Sequence, residues 1–356
     1  MFLQQADLVK VFVPTALAFI FGICITPILT HYLYKHRAWK KITGKIALDG
    51  NEAVEFNKLH QQREGETPRM GGLLIWGSLM LTILSLYLLD IFFRTHSLFS
   101  SINFLSRSQT FIPVATYIVG AVVGLLNDFY DVSHRGGGIR LRVRLGIITV
   151  MSTLIGYWFY AKLGVDSIGI PYFGALVIGA LVIPFFVFFS IAIYASGIID
   201  GIDGLSGGVF GTIYGAYAIL AFYQGQLDIA ALSGAISGAT LAFLWFNIPP
   251  ARFLMTEVGT MPLTLTLAVI ALMTDTLGGG YGILVFPVIG IVLVVTVLSS
   301  AVQIFSKRFR NKKIFRVAPF HHHLEAIGWP SYKVTMRYWV IGIIAAVIGL
   351  IIGVTG

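Results

Sequence analysis

The sequence predicts an all-α, polytopic integral membrane protein of a single domain, with about ten transmembrane helices. Hydrophobic residues make up 56% of its 356 positions where ~45–50% is usual, and charged residues only 12% where ~25% is usual. The apolar residues fall in blocks of roughly 17–25, the length that crosses a bilayer as a helix. The 39 glycines show no three-residue period, so they fit close helix packing in lipid rather than a collagen-like repeat. This composition excludes a soluble two-domain enzyme.

In chain order the blocks are centred near Phe21, Leu81, Val119, Leu154, Phe185, Tyr214, Leu241, Leu267, Val292 and Ala346. The first, from Val11 to about Tyr34, is longer than the ~7–15-residue core of a signal peptide and lacks a small-x-small cleavage pattern. It reads as the first span. Cys24, the only cysteine, follows Ile23 where lipid attachment needs a small residue, so it reads as a buried apolar thiol. An even number of spans puts both termini on one side and divides the loops into two sets. The segments 35–69, 127–144, 197–207, 246–260 and 306–337 hold 21 of the 25 Lys and Arg residues. The positive-inside rule makes that face cytoplasmic and leaves the termini outside. With 11 acidic residues the face carries +10, against −1 on the other. The basic excess therefore belongs to one membrane face and not to a nucleic-acid partner.

Topology does not account for the acids on that face. Asp128, Asp131, Asp200, Asp203 and Glu257 sit at or just beyond span ends in short loops, where carboxylates are expensive. Asp128 and Asp131, three residues apart at a helix end, share a face. The following stretch, Gly136-Gly137-Gly138-Ile139-Arg140-Leu141-Arg142-Val143-Arg144, combines exposed backbone amides with guanidinium groups and suits either phosphate or acidic lipid. Asp200-Gly201-Ile202-Asp203-Gly204 reads as a tight turn that brings backbone and carboxylates to a ligand, though Asp-Gly is also common turn filler. Asn247 to Thr260 is a proline-broken loop holding Arg252 and Glu257. In His321-His322-His323, adjacent helical residues point about 100° apart, so binding of phosphate or sugar hydroxyls suits them better than one shared metal. Acids suited to Mg²⁺ and bases suited to phosphate, in a cleft facing the cytoplasm at the lipid boundary, point to phosphoryl transfer onto a membrane-embedded acceptor.

The run Phe315 to Trp329, R-V-A-P-F-H-H-H-L-E-A-I-G-W from Arg316, with Lys333, Arg337 and Trp339, closely resembles the C-terminal signature of the phospho-N-acetylmuramoyl-pentapeptide transferases. Thr67-Pro68-Arg69-Met70-Gly71-Gly72, Asn127-Asp128, Asp200 to Leu205 and Asn247 to Gly259 follow in that family's order, so the resemblance covers nearly the whole chain. The histidine block is specific to this branch; the other motifs occur across the polyprenyl-phosphate sugar-1-phosphate transferases. The resemblance implies a multi-pass enzyme of the bacterial cytoplasmic membrane, a homodimer, that moves phospho-MurNAc-pentapeptide from UDP-MurNAc-pentapeptide to undecaprenyl phosphate with Mg²⁺. It implies catalytic roles for Asn127, Asp128, Asp200 and Glu257, with Glu257 and Asp128 at the metal. Substrate contacts fall to Arg63, Arg142, Arg144, Gly201, Asp203, Asn247, His321, His322 and His323.

The chain departs from the family pattern at several of these positions. Asn127 stands for the first aspartate of a pair, Glu257 for the metal aspartate, Gly197 and Tyr194 for asparagines, and Arg69 for a threonine. Leu254 falls where the family stacks an aromatic on uracil, with Phe253 one residue earlier. Asn127 is no base, but a phosphate monoester is already largely a dianion at pH 7, so direct attack needs none. The rivals are transfer of a simpler N-acetylhexosamine 1-phosphate, non-catalytic binding of UDP-sugar or polyprenyl phosphate, and transport. A transporter would place charge near the membrane midplane, where these blocks carry almost none.

Overall fold

The computed structural model describes residues 5–41, 44, 57, 65–93, 97–133 and 137–356. Among the described residues thirteen α-helices follow one another: α1 Gln5–Lys35, α2 Gly72–Phe92, α3 Ser97–Ile102, α4 Phe111–Val132, α5 Leu141–Leu163, α6 Val182–Ala195, α7 Leu205–Tyr223, α8 Leu227–Asn247, α9 Glu257–Met273, α10 Gly282–Ile289, α11 Ile291–Arg310, α12 Phe320–Ala326 and α13 Ser331–Thr355. All ten expected centres lie in helices. Nine helices among the described residues have the length and apolarity to cross a membrane, and α9 is a shorter apolar helix of 17 residues. An antiparallel hairpin is the departure from an all-α chain. Its strands, β1 Ser167–Ile170 and β2 Gly174–Val177, pair Ser167 with Val177 and Ile170 with Gly174 between α5 and α6.

The helices sort into an enclosed core and a lipid-facing shell. α7, α8 and α9 are almost wholly buried, whereas α1, α5 and α13 leave large apolar side chains such as Phe12, Leu154 and Ile344 exposed. In water these would be costly; in lipid they are the solvent-matched face, and small residues drive the packing instead. α8 shows this clearly. Its Gly234 and Gly238 lie against Thr15 of α1, where an added Cβ would run into the Thr15 side chain and carbonyl. α9 packs on α4 and α6, and α13 on α7 and α10. Cys24 corrects one expectation: it lies on the exposed face of α1, because the apolar surroundings that suit a thiol are here outside the protein.

The end of α4 and the 137–140, 196–204 and 248–256 segments meet around the first turn of α9, and α12 packs beside α11 and α13 against the same region.

Candidate active site at the start of α9

A helix begins with N–H groups that lack intrahelical partners. At α9 they are satisfied by a residue far away in sequence. Asp128, fully buried near the end of α4, accepts from the Thr256 hydroxyl at 2.6 Å and the Val258 N–H at 2.8 Å through one oxygen. Its other oxygen accepts from the Glu257 N–H at 3.3 Å and the Asn127 amide at 3.2 Å. The negative charge also sits at the positive end of the α9 dipole. Gly124, one turn earlier, makes the approach possible: a Cβ there would enter the space of the Glu257 carbonyl. Thr256 is held at φ 57°, ψ −171°, a conformation costly for a residue with a β-branch, by Asp128 on its hydroxyl and by Asp200, which accepts its N–H at 2.7 Å.

The remaining acids and amides tie the loops together. Asp200 accepts the Ser206 hydroxyl at 2.7 Å with its second oxygen. Asp203 accepts the Ala251 N–H at 3.2 Å, and Asn247 bridges the Gly204 N–H (2.9 Å) to the Phe253 carbonyl (2.8 Å). The Pro68–Gly72 segment pairs with 254–256 by backbone hydrogen bonds: Leu254 N–H to Pro68, Gly71 N–H to Leu254 and Gly72 N–H to Met255. Asn127 accepts the Ile139 N–H at 2.9 Å and so anchors the glycine-rich loop. Asp131, three residues after Asp128 on the same helix, pairs with Arg69 at 3.1 Å.

The Glu257 carboxylate is arranged differently, since side chains and not backbone hold it. Arg144, in the first turn of α5, forms an ion pair with it, and the Tyr194 hydroxyl near the end of α6 lies 3.3 and 3.5 Å from its two oxygens. Arg142, two positions before Arg144 on the same helix, does not share its face and is exposed. The arginine-rich stretch is thus the start of a helix from Leu141 onward, and only its first part is a loop.

His321 and His322, both buried, pack on Gly201, where a Cβ would fall 2.5 Å from the His322 Nε2 and 3.0 Å from that of His321. The His322 Nδ1 lies 2.7 Å from a Glu325 oxygen, and Ser331 donates to the other at 2.7 Å. His323 turns outward, its Nδ1 accepting the Arg316 N–H at 3.2 Å. The Trp339 indole donates to the Gly204 carbonyl at 3.1 Å. The histidine block therefore backs the Asp200–Gly204 turn from behind. Phe253 is fully buried against Phe243 and Phe246, which makes it core, and the partly exposed Leu254 stands beside it. Arg63 lies outside the described residues.

Sequence reasoning passed over Thr256. Its signal was its place directly before Glu257, an N-cap position that Thr favours.

Acids, an arginine and the Gly71-Gly72 pair are thus gathered at one helix start of a multi-pass helical membrane protein. The family model described as glycosyl transferase family 4 matches residues 110–275. The chain is 31% identical over 350 residues to the phospho-N-acetylmuramoyl-pentapeptide-transferase of Anoxybacillus flavithermus, covering 97% of this chain and 98% of that one. It is 30% identical to the enzyme of the same name from Geobacillus sp. (95% and 96% covered) and 32% identical to that of Shouchella clausii (84% and 87% covered). The chain belongs to the phospho-N-acetylmuramoyl-pentapeptide-transferase family, and it is a transferase.

Proposed function

We propose that the protein transfers phospho-MurNAc-pentapeptide from UDP-MurNAc-pentapeptide to undecaprenyl phosphate, giving lipid I and UMP in peptidoglycan synthesis. The observation that carries this reading is the convergence of Asp128, Asp200, Glu257 and Arg144 on one helix start in a chain similar over nearly its whole length to transferases of that name. The work is done at the cytoplasmic face of the bacterial inner membrane, by a homodimer.

The donor set fits a magnesium ion of a particular kind. Asp128 and Asp200 have both oxygens committed to protein donors, and no group of three His, Cys, Asp or Glu that could hold a metal occurs among the described residues. Magnesium, however, is commonly held by one or two carboxylates together with substrate phosphates. Glu257, a quarter exposed and held only by side chains, supplies one such carboxylate. Mg²⁺ bound there supplies charge neutralisation on the diphosphate.

The protein's own groups position the reactants. Arg144 offers a guanidinium to the diphosphate, the Asp200–Gly204 turn presents backbone to the nucleotide, and the histidine block holds that turn in place. An oxygen of the lipid phosphate, already a dianion, attacks the β-phosphorus; the bond from that phosphorus to the oxygen bridging to the α-phosphorus breaks, and UMP leaves. A covalent route through Asp128 would have to uncap α9, because the same oxygens hold Thr256, Glu257 and Val258. That geometry favours direct attack.

The test is UMP release by purified protein given undecaprenyl phosphate, Mg²⁺ and either UDP-MurNAc-pentapeptide or UDP-GlcNAc. Release with the first is expected. Release with UDP-GlcNAc alone would move the chain to the simpler hexosamine-phosphate transferases, and nucleotide binding without release would make it a binding protein.

A further inference from the structure

Unlike Asp128 and Asp200, Glu257 has partners that can leave without unmaking the fold. Asp128 and Asp200 hold backbone N–H groups of α9 and its N-cap, so displacing them frays a helix. Glu257 is held by Arg144 and Tyr194, two side chains from other helices. Arg144 in turn uses its guanidinium incompletely. Its Nε is buried with no hydrogen-bond partner among the described residues, while its neighbouring nitrogen meets Glu257. A permanently charged fork with an idle, desolvated donor is poised for a second anion, and a diphosphate presents oxygens in the geometry that a guanidinium grips best. Arg144 meets one Glu257 oxygen and the Tyr194 hydroxyl lies 3.5 Å from the other, so the guanidinium charge opposes a divalent cation at the same carboxylate.

We propose that Arg144 and Tyr194 keep Glu257 closed to a divalent cation until a nucleoside diphosphate draws the Arg144 guanidinium onto its phosphates, so that cation and nucleotide bind as one coupled event. Tyr194 is a positioning residue here: its hydroxyl steadies the Glu257 carboxylate in the orientation that faces Arg144. Linkage makes the coupling reciprocal, so whatever factor the nucleotide adds to cation affinity the cation adds to nucleotide affinity. The inference rests on the transferase reading for its choice of ligands. Its test does not depend on turnover.

The experiment is a Mn²⁺ titration of the full chain in detergent, with free Mn²⁺ read by electron paramagnetic resonance, in the presence and absence of UDP. Because UDP carries cation by itself, the variants decide the matter. Without UDP, Arg144→Gln is expected to bind Mn²⁺ about tenfold more tightly than the wild type, the size expected for removing one competing cation from a part-exposed carboxylate. Tyr194→Phe should tighten it about two- to threefold by the loss of one hydrogen bond. Arg144→Lys, which keeps the charge, should stay as weak as the wild type, and Glu257→Gln should abolish the gained site in the Arg144→Gln background. Unchanged affinity in Arg144→Gln with an unaltered melting temperature, or a gained site that survives Glu257→Gln, would overturn the proposal. Failure of UMP release with both UDP-sugars would retire the transferase reading and leave this titration to be judged by itself.

Discussion

The two ends of α9 each carry a buried polar cluster, and they use it in opposite ways. At the start of the helix Asp128 holds the backbone, while Glu257 is left to Arg144 and Tyr194. Roughly 25 Å away, at 1.5 Å per residue, Asp275 follows the helix end. It accepts N–H groups from Gly169 of β1 at 2.7 Å and Ile283 of α10 at 2.9 Å. Gln224 and Gln226 donate to the Thr274 and Met273 carbonyls at 2.8 and 2.9 Å, closing the last turn. The Asp275 partners are backbone groups with no place to go. A buried acid is thus no mark of a site on its own; what distinguishes the first cluster is one carboxylate held by displaceable side chains next to a cation.

The largest effect that would break this contrast is at Glu257. Glu257→Gln is expected to lower the rate of UMP release by about 10²-fold or more, the scale of losing one charge-stabilising group at a phosphoryl or acyl centre, while the melting temperature stays near that of the wild type. Glu257→Asp should retain activity. A Glu257→Gln protein that turns over normally would reduce this end of α9 to the same structural status as the other.

Next comes Asp128→Ala, which strips the α9 start of its acceptor and leaves buried donors at Thr256, Glu257 and Val258. The expected cost is about 3–5 kcal/mol, as for other buried charges lost from a hydrogen-bonded network. It should show as a large drop in the melting temperature together with lost activity. Gly124→Ala asks the same question through packing. The added methyl meets the Glu257 carbonyl, and overpacking of this kind costs about 1–3 kcal/mol. Activity should fall more than stability, since the displaced backbone is that of Glu257 itself.

These contrasts show which parts of the molecule were legible in the sequence. Span positions were, because a helix that crosses a bilayer needs a long apolar run. The convergence of Asp128, Asp200 and Glu257 on one face was legible from charge sorting and motif order. Their division of labour was not. Whether an aspartate holds a backbone or faces a ligand depends on where a distant helix starts, and Asp128 is more than a hundred positions from the N–H groups it accepts. The β1–β2 hairpin was also hidden, since Ser167–Ile170 and Gly174–Val177 are too short and apolar to stand out between two spans. Tyr194 was visible as a departure from the family pattern, yet only the approach of α6 to α9 shows what it touches.

The smallest expected effect sharpens the comparison from the closed end. Burial raises the Asp275 carboxyl to about 6, and its backbone hydrogen bonds only partly offset this. In the unfolded chain the same group titrates near 3.9. Below about pH 4 it is protonated in both states and favours neither. Between about pH 4 and 6 the unfolded chain has released the proton and the folded chain still holds it, so stability falls as pH rises, by ~1.4 kcal/mol per pH unit. Above about 6 both are ionised and the loss levels off at roughly 3 kcal/mol. Asp275→Asn removes this titration. The melting temperature of the wild type minus that of Asp275→Asn, measured in one detergent, should therefore shrink by a few degrees from pH 4 to about 6 and then stay level. A difference independent of pH would mean that the N–H groups of Gly169 and Ile283 hold Asp275 ionised throughout. The two ends of α9 would then differ only in the cation that faces Glu257.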